Sequence, residues 1–240
     1  MGKSGKIAYF MATLGIIFVL LSLGGLVPLG EEGNAGSVHR FLSSGPTAVQ
    51  EKTVPGGAEG KYRIVIDPGH GGKDPGASSV SGREEKEFTL ALAQKVDELL
   101  RQDPMFESVL TRTSDEFIEL EDRSKVANDL HANALISLHG NTYEGPETVS
   151  GTETYYYNEG DGSYEMAEVI HRHLIDALGF RDRGVRQEDW KVLRTSEVPA
   201  VLAEIGFLTN AENEAVLFSE AGQDKAAQAI VDALKEYFGR

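Results

Sequence analysis

Short apolar runs alternate with longer segments of helical spacing along the chain from residue 62 onward. The apolar runs predict strands, and the longer segments predict amphipathic helices, such as one with Leu92, Val96 and Leu99 on a single stripe. The predicted strands are 62–66, 108–111, 134–138, 152–157, 191–193 and 200–205, and the predicted helices are 86–100, 119–130, 163–178 and 223–238. Alternating strands and helices indicate an α/β fold, a single domain with a mostly parallel twisted sheet covered by helices on both faces.

The first thirty residues have a different pattern. Residues 7–29 contain no charged side chain, and Lys3 and Lys6 stand just before them. Such a run is long enough to span a bilayer, and the lysines are typical of a segment whose amino terminus stays inside. The sequence therefore predicts an N-terminal transmembrane segment in residues 1–30 that serves as an uncleaved membrane anchor. A cleaved signal segment is the alternative, with its cleavage site at residues 33–35, and in both cases the rest of the chain is exported.

Residues 31–60 mix glycine, serine, proline and charged residues with few apolar side chains. This composition is typical of a flexible linker, which lets a domain stand away from a membrane. The remaining residues, 61–240, are enough for one folded domain.

Composition narrows the possible partners. The formal net charge is −15, and a surface of this sign repels polyanions. The basic residues form no stripe or aromatic-rich patch, so nucleic acid is not expected as a partner. The chain has no cysteine, which excludes disulfides and thiolate metal sites, so a metal ion must bind to histidine, aspartate or glutamate.

Ionisable side chains lie at the ends of three predicted strands. His70 follows the first strand in a turn rich in glycine and proline, His139 follows the third, and Glu204 lies near the end of the sixth. Because the carboxyl ends of parallel strands open on one edge of a sheet, these residues are expected to meet in one crevice. Glu84 or Glu85, at the start of the first predicted helix, can approach His70 from that edge. The other histidines are expected in the linker or on the surface: His39, His131, His171 and His173.

Two imidazoles and one carboxylate form a known catalytic zinc set, with a fourth position open to water. Zinc lowers the pKa of bound water to about 7 and polarises a carbonyl group, so such a site suits hydrolysis near neutral pH. The reaction also needs a proton carrier that is not a ligand. Glu204 fits this role because it interrupts an apolar strand, where a charged side chain is costly unless a metal ion, a cation or water compensates it.

Four segments, in a fixed order, carry a resemblance to a known family. They are Ile66-Asp67-Pro68-Gly69-His70-Gly71-Gly72, Glu85-Lys86, Ser137-Leu138-His139 and the stretch from Pro199 to Asn210. Together they resemble the zinc-dependent N-acetylmuramoyl-L-alanine amidases of bacterial cell-wall and sporulation lysis, over residues 63–238. The resemblance implies hydrolysis of the amide bond between the lactyl group of N-acetylmuramic acid and the first L-alanine of the stem peptide, with peptidoglycan as the partner.

The resemblance also implies roles for individual residues. The zinc ligands would be His70, Glu85 and His139, and the catalytic general acid/base would be Glu204. Glu85 is preferred to Glu84 because the family has its ligand directly before the lysine.

Three further residues can be compared with the pattern of this family. Gly140 stands where such enzymes often have alanine, which is expected to make the loop after His139 more permissive. Arg112 and Arg123 match arginines of the family pattern and are interpreted as structural or electrostatic supports.

Two other functions share parts of this pattern. A zinc peptidase or carboxypeptidase would use the same metal site on stem peptides, and a non-catalytic cell-wall-binding module would keep the fold without the reaction. The layout, a short chain with a long apolar start, is similar to that of sporulation or germination amidases. The expected location is the extracytoplasmic face of a bacterial membrane, or the exterior if the first segment is cleaved.

Overall fold

The computed structural model of the chain describes residues 60–239. The predicted anchor or signal segment, residues 1–30, lies outside the described residues, and so does the predicted linker, 31–60, except for its last residue. Within the described range, none of the helices combines the length and the apolar character that a membrane crossing requires.

Six strands and six helices make up the described part of the chain. In chain order they are β1 (Tyr62–Pro68), α1 (Glu85–Gln102), β2 (Phe106–Leu110), α2 (Leu120–Asp129), β3 (Ala134–Asn141), β4 (Thr152–Tyr156), α3 (Ser163–Leu178), β5 (Asp182–Gln187), α4 (Lys191–Arg194), β6 (Ala200–Phe207), α5 (Ala211–Leu217) and α6 (Glu220–Phe238). The strands form one sheet in the order β2-β1-β3-β6-β4-β5. Neighbouring strands are parallel except β4 and β6, which are antiparallel. The predicted α/β fold with a mostly parallel sheet is therefore confirmed.

Helices pack on both faces of the sheet, because successive residues of a strand point to opposite faces. Ile64 of β1 belongs to the larger apolar cluster, with residues of α1, α3 and α6, whereas Val65 belongs to a smaller cluster with residues of α2 and α4. Both side chains are fully buried. A strand covered on both faces needs an unbroken apolar run, which explains why β1 could be predicted from the sequence.

Three elements differ from the sequence-based expectation. Residues 191–193, predicted as a strand, belong to the short helix α4, because three residues carry no period that separates helix from strand. The strand β5 was not predicted. It lies at the edge of the sheet, where a strand can consist mostly of exposed polar residues. Val185 is its one large apolar residue, so it shows no apolar run. The helix α5, also not predicted, is short and begins after Asn210, whose side chain accepts from the Asn213 amide.

His171 is buried, which corrects the expectation that it lies on the surface. Its Nδ1 is 2.9 Å from the hydroxyl of Thr154, and its Nε2 is 2.9 Å from Oδ1 of Asp182. An imidazole with a hydrogen-bond partner at each nitrogen can be buried without an unsatisfied polar atom. These two contacts connect α3 to β4 and to the edge strand β5.

Candidate active site

The turn after β1 holds His70 in an uncommon backbone conformation. His70 has a φ of +60°, in the left-handed region that residues with side chains rarely adopt. Two buried arginines fix the turn through its carbonyl groups. Arg112 donates to the carbonyls of Pro68 and Gly69. Arg123 donates to those of Pro68 and His70, so both arginines make the contacts expected of structural supports.

The charge of Arg123 is balanced inside the domain by Asp67. Its Nη1 lies 2.9 Å from Oδ1 of Asp67, and both side chains are buried. The same carboxylate accepts from the hydroxyls of Thr111 and Ser137. Breaking a buried pair of this kind typically costs about 3–5 kcal/mol, because the remaining charge is left uncompensated. Asp67 therefore stabilises the turn that carries His70.

His139 lies within β3, which extends to Asn141, beyond the predicted strand end. Its imidazole faces that of His70 edge to face, with ring centres 4.9 Å apart. Across the sheet, His139 is paired with Glu204 of β6. The parallel pairing of β1, β3 and β6 thus brings the three strand-borne candidates to one edge.

Glu85, the first residue of α1, extends its carboxylate toward both imidazoles. Oε2 lies 3.1 Å from Nε2 of His70, and Oε1 lies 3.0 Å from Nδ1 of His139. Oε2 also accepts from the Ala77 amide and Oε1 from the Gly140 amide, each at 2.9 Å. With contacts on both oxygens, the orientation of the carboxylate is fixed.

Glu84 has different partners. Its carboxylate lies 3.3 Å from the ammonium group of Lys86, and its side chain is 47% exposed. The side chain of Glu85 is only 5% exposed. Of the two neighbouring acids, the structure brings Glu85 to the histidines.

Gly140 was expected to make the loop after His139 more permissive, but it is part of the strand β3. A β-carbon at this position would lie 2.8 Å from the side chain of Leu208. The glycine therefore allows a close approach of Leu208, and its amide is one of the donors to Glu85.

The side chains of His70, Glu85 and His139 fit a metal ion. Each offers one ligand atom, and the three atoms lie within 4.8 Å of one another. Two imidazole nitrogens with one carboxylate oxygen suit a divalent transition metal. Gly76 leaves room for this cluster, since a β-carbon there would lie 2.7 Å from Oε2 of Glu85 and 2.7 Å from the ring of His70.

The electrostatics of the cluster favour an ionised carboxylate. Burial raises the pKa of Glu85, but hydrogen bonds with His139 and His70 outweigh burial and hold the pKa far below its ordinary value. Burial lowers the pKa of His70, and contacts with Glu85 and Asp74 outweigh burial and raise it. Because a metal ligand must be deprotonated to bind, an ionised Glu85 is ready for a cation.

Asp74 orients the ring of His70. The Nδ1 of His70 donates to Oδ2 of Asp74 at 2.9 Å, because an ionised carboxylate can only accept. This bond leaves Nε2, which faces Glu85, available as the ligand atom. Asp74 was not among the predicted site residues, although a carboxylate four residues after a histidine in one turn is a readable signal.

Glu204 lies beside the cluster on β6. The residue as a whole is half-buried, but its Oε2 is shielded from solvent and has no hydrogen-bond partner among the described residues. Burial, with the nearby charges of Glu85 and Glu153, raises the pKa of Glu204 well above its ordinary value. A carboxyl group with a raised pKa and a free oxygen can take up and deliver a proton.

The described domain is similar to known proteins over nearly its whole length. The sequence model of the family described as N-acetylmuramoyl-L-alanine amidase matches residues 64–236. The chain belongs to this family. The resemblance predicted from the four segments is thereby confirmed, and so is the enzyme class: the chain is an amide hydrolase that acts on cell-wall peptidoglycan.

Three relatives illustrate the match. The uncharacterised protein YqiI of Bacillus subtilis is 40% identical over 182 residues, which cover 75% of this amidase and 86% of YqiI. The N-acetylmuramoyl-L-alanine amidase LytC of Bacillus subtilis is 38% identical, over 73% of this chain and 35% of LytC. The catalytic domain of CwlV, an N-acetylmuramoyl-L-alanine amidase of Bacillus (Paenibacillus) polymyxa var. colistinus, is 45% identical with a TM-score of 0.71, over 74% of this chain and 98% of that domain. The amidase thus spans about a third of LytC and nearly all of the CwlV catalytic domain.

Glu153 on β4 is another carboxylate of the amidase that was not predicted, and it is buried. It is the cross-strand partner of Glu204. Its Oε2 accepts from the side-chain amide of Asn141 and the hydroxyl of Tyr155, and its Oε1 accepts from Nε of Arg183, each at 2.7 Å. Burial raises the pKa of Glu153, but the contacts with Arg183 and Tyr155 outweigh burial and lower it, so a negative charge stays next to Glu204.

The site of the amidase opens into a cavity of about 530 Å³. The residues that line this cavity include His70, Asp74, Glu85, His139 and Glu204. The start of α2 and the start of α4 form one wall, which includes Leu120 and Trp190. The predicted site residues therefore meet in one crevice, at the sheet edge where parallel strands were expected to open.

Proposed function

We propose that the amidase cleaves the bond between the lactyl group of N-acetylmuramic acid and the first L-alanine of the stem peptide, using water and a bound zinc ion. His70, Glu85 and His139 would hold the zinc ion, and Glu204 would act as general acid/base. The observation that carries this proposal is the convergence of these four side chains on one cavity.

The donor set supports zinc as the metal. It consists of two imidazoles and one carboxylate, and the chain has no cysteine that could offer a thiolate. When bound, zinc supplies Lewis-acid polarisation of the amide carbonyl and a lower pKa for water. Asp74 supports the ligand role of His70, because a carboxylate on the second ring nitrogen fixes the tautomer and the orientation of the ring.

Glu204 suits the two proton transfers that amide hydrolysis requires. Water loses a proton as it attacks the carbonyl carbon, and the leaving nitrogen gains one as the C–N bond breaks. Oε2 of Glu204, which has no hydrogen-bond partner within residues 60–239, can accept the first proton and deliver the second. Burial, with the charges of Glu85 and of Glu153 on the neighbouring strand, raises the pKa of Glu204, so its carboxyl group holds the proton until it passes to the leaving nitrogen.

The amidase acts on the cell wall, outside the cytoplasm. We propose that residues 1–30 anchor it to the extracytoplasmic face of the membrane, or direct its secretion if they are cleaved, and that 31–60 link this segment to a catalytic domain at 61–240. The uncharged run at 7–29 supports an anchor. Fractionation of cells tests it: the full chain should be in the membrane fraction and a chain that starts at residue 61 should not, whereas equal distribution would rule out the anchor.

Product analysis of digested peptidoglycan tests the proposed reaction. The zinc-loaded full chain should release stem peptides with a free L-alanine amino terminus and leave glycan strands that carry lactyl groups. Mass spectrometry distinguishes this result from cleavage inside the stem peptide, which would indicate a zinc peptidase. Unchanged peptidoglycan, with binding retained, would indicate a non-catalytic wall-binding module.

A further inference from the structure

We propose that Trp190 is a substrate-binding residue and that it contacts the glycan part of peptidoglycan, the neutral N-acetylated sugar ring, and not the stem peptide. This inference rests on the proposed function, because it assigns the glycan part of the proposed substrate to the cavity wall that includes Trp190.

Trp190 lies immediately before α4 and lines the cavity that also contains His139 and Glu204. Its ring packs against that of Tyr155, with centres 4.4 Å apart and planes tilted by 42°, so Tyr155 helps to hold the indole in place. Tyr155 is the cross-strand partner of Leu202, two residues from Glu204 on β6. Trp190 is only partly buried, so part of this large aromatic surface remains open beside the proposed reacting groups.

Leu120, at the start of α2, continues the apolar wall. The residue is 51% exposed although it lines the cavity. Val192 of α4 also lines the cavity but is itself buried, so the accessible apolar surface of the wall comes from Trp190 and Leu120. Large apolar side chains that stay accessible in a cavity are typical of a ligand-binding surface.

The charges next to this wall neutralise one another. Lys191 pairs with Glu121, and Arg194 pairs with Asp189. Arg123, which also lines the cavity, is paired with Asp67. Each of these cations therefore has its own carboxylate, and none is left to attract a negative group to the wall.

The substrate has two parts, the stem peptide and the glycan, and their charges differ. A stem peptide carries carboxylate groups, and the paired cations of this wall leave no unbalanced positive charge to bind them. An N-acetylated sugar ring is neutral, and its face of C–H groups can lie flat on an indole. Aromatic side chains with a polar edge suit such a ligand, because they offer a large apolar area and one N–H donor. The sugar ring is therefore the half that matches Trp190.

Trp190 is the single tryptophan of the chain, so its fluorescence reports directly on this wall. The zinc-loaded full chain is titrated with two compounds that each represent one part of the substrate and that it does not hydrolyse. One is the neutral disaccharide of two N-acetylglucosamine units, which has no lactyl carboxylate, and the other is the free stem peptide. The disaccharide should shift the emission of Trp190 in a saturable way, and the stem peptide should not. A shift with the peptide alone, or no shift with disaccharide concentrations that inhibit turnover, would overturn the assignment.

Substitutions supply a second readout. Trp190→Ala should raise the KM for a soluble muropeptide about tenfold, which corresponds to about 1.4 kcal/mol, with kcat and zinc content unchanged. Trp190→Phe should restore most of the affinity, because phenylalanine keeps an aromatic face. Tyr157→Ala is the matched control, since Tyr157 is an exposed aromatic residue that does not line the cavity. A KM in Trp190→Ala equal to that of the control would contradict the proposal.

Product analysis of the wild type keeps the two proposals distinguishable. If the wild type does not release peptides with a free L-alanine terminus, the proposed function fails, whatever Trp190 binds. If it does release them and Trp190→Ala has an unchanged KM, only the assignment of Trp190 fails.

Discussion

The imidazole of His139 packs directly on Gly69, in the turn that carries His70. A β-carbon at Gly69 would lie 2.3 Å from Cε1 of the ring, which is far closer than two such atoms can approach. Gly69 does not have a positive φ, so the contact with His139, and not the backbone conformation, requires the glycine. Because Gly69 has no side chain, the imidazole of His139 can lie against the turn and reach Glu85.

Gly69→Ala should therefore displace His139 and weaken zinc binding, by about 10- to 100-fold if the effect equals that of losing a residue that orients a ligand. Competition with a chelating dye measures the zinc Kd. Gly160→Ala is the matched control, because its added β-carbon would find its nearest neighbour at 3.4 Å, an ordinary contact. Wild-type zinc affinity in Gly69→Ala would show that His139 does not need its observed position.

The adjacent acids Glu84 and Glu85 allow a second matched comparison. Glu85→Ala removes a proposed ligand and should lower zinc affinity by at least about 100-fold, beyond the range seen for orienting residues. Glu84→Ala removes an exposed partner of Lys86 and should leave zinc binding as it is. Elemental analysis of both purified variants checks this, and equal zinc content in the two would remove Glu85 from the ligand set.

Glu204 should make the stability of the zinc-free protein depend on pH. Its pKa is raised in the folded state, so the folded chain holds this proton more tightly than the unfolded chain does. The resulting stability is fully present below the unfolded pKa of about 4.3 and is lost as pH rises through the folded pKa. Glu204→Gln does not titrate, so the variant should unfold like the wild type near pH 4.

Toward neutral pH the same variant should become the more stable protein, by at most about 1.4 kcal/mol for each pH unit between the two pKa values. Urea unfolding of chelator-treated protein at several pH values measures the difference. A difference that stays constant from acid to neutral pH would mean that the environment of Glu204 does not penalise its charge.

Much of the fold and of the site could be predicted from the sequence because the signals were local. The run from Ile64 to Ile66 is apolar on both faces, so it had to be a central strand, and His70 then had to follow its end. His139 and Glu204 were predictable in the same way, since both lie on strands buried in the middle of the sheet.

The remaining features depend on contacts between segments that are distant in sequence. Glu153 and Glu204 are neighbours only because β4 runs antiparallel to β6, and nothing in the apolar pattern specifies that pairing. Trp190 reaches the cavity because the segment around it forms a short helix and not the expected strand. The pattern alone also left two candidates for the carboxylate ligand, since the carboxylate of Glu85 is held in place by amides of Ala77 and Gly140 on other segments.

The most direct test of the account is the turnover of the Glu204→Gln variant, measured together with its zinc content. Glutamine keeps the size of the side chain but cannot carry a proton between water and the leaving nitrogen. The variant should bind zinc as the wild type does and release peptides with a free L-alanine terminus about 10²- to 10⁴-fold more slowly. Near-normal turnover with zinc bound would contradict the account, because some other group would then have to transfer the proton.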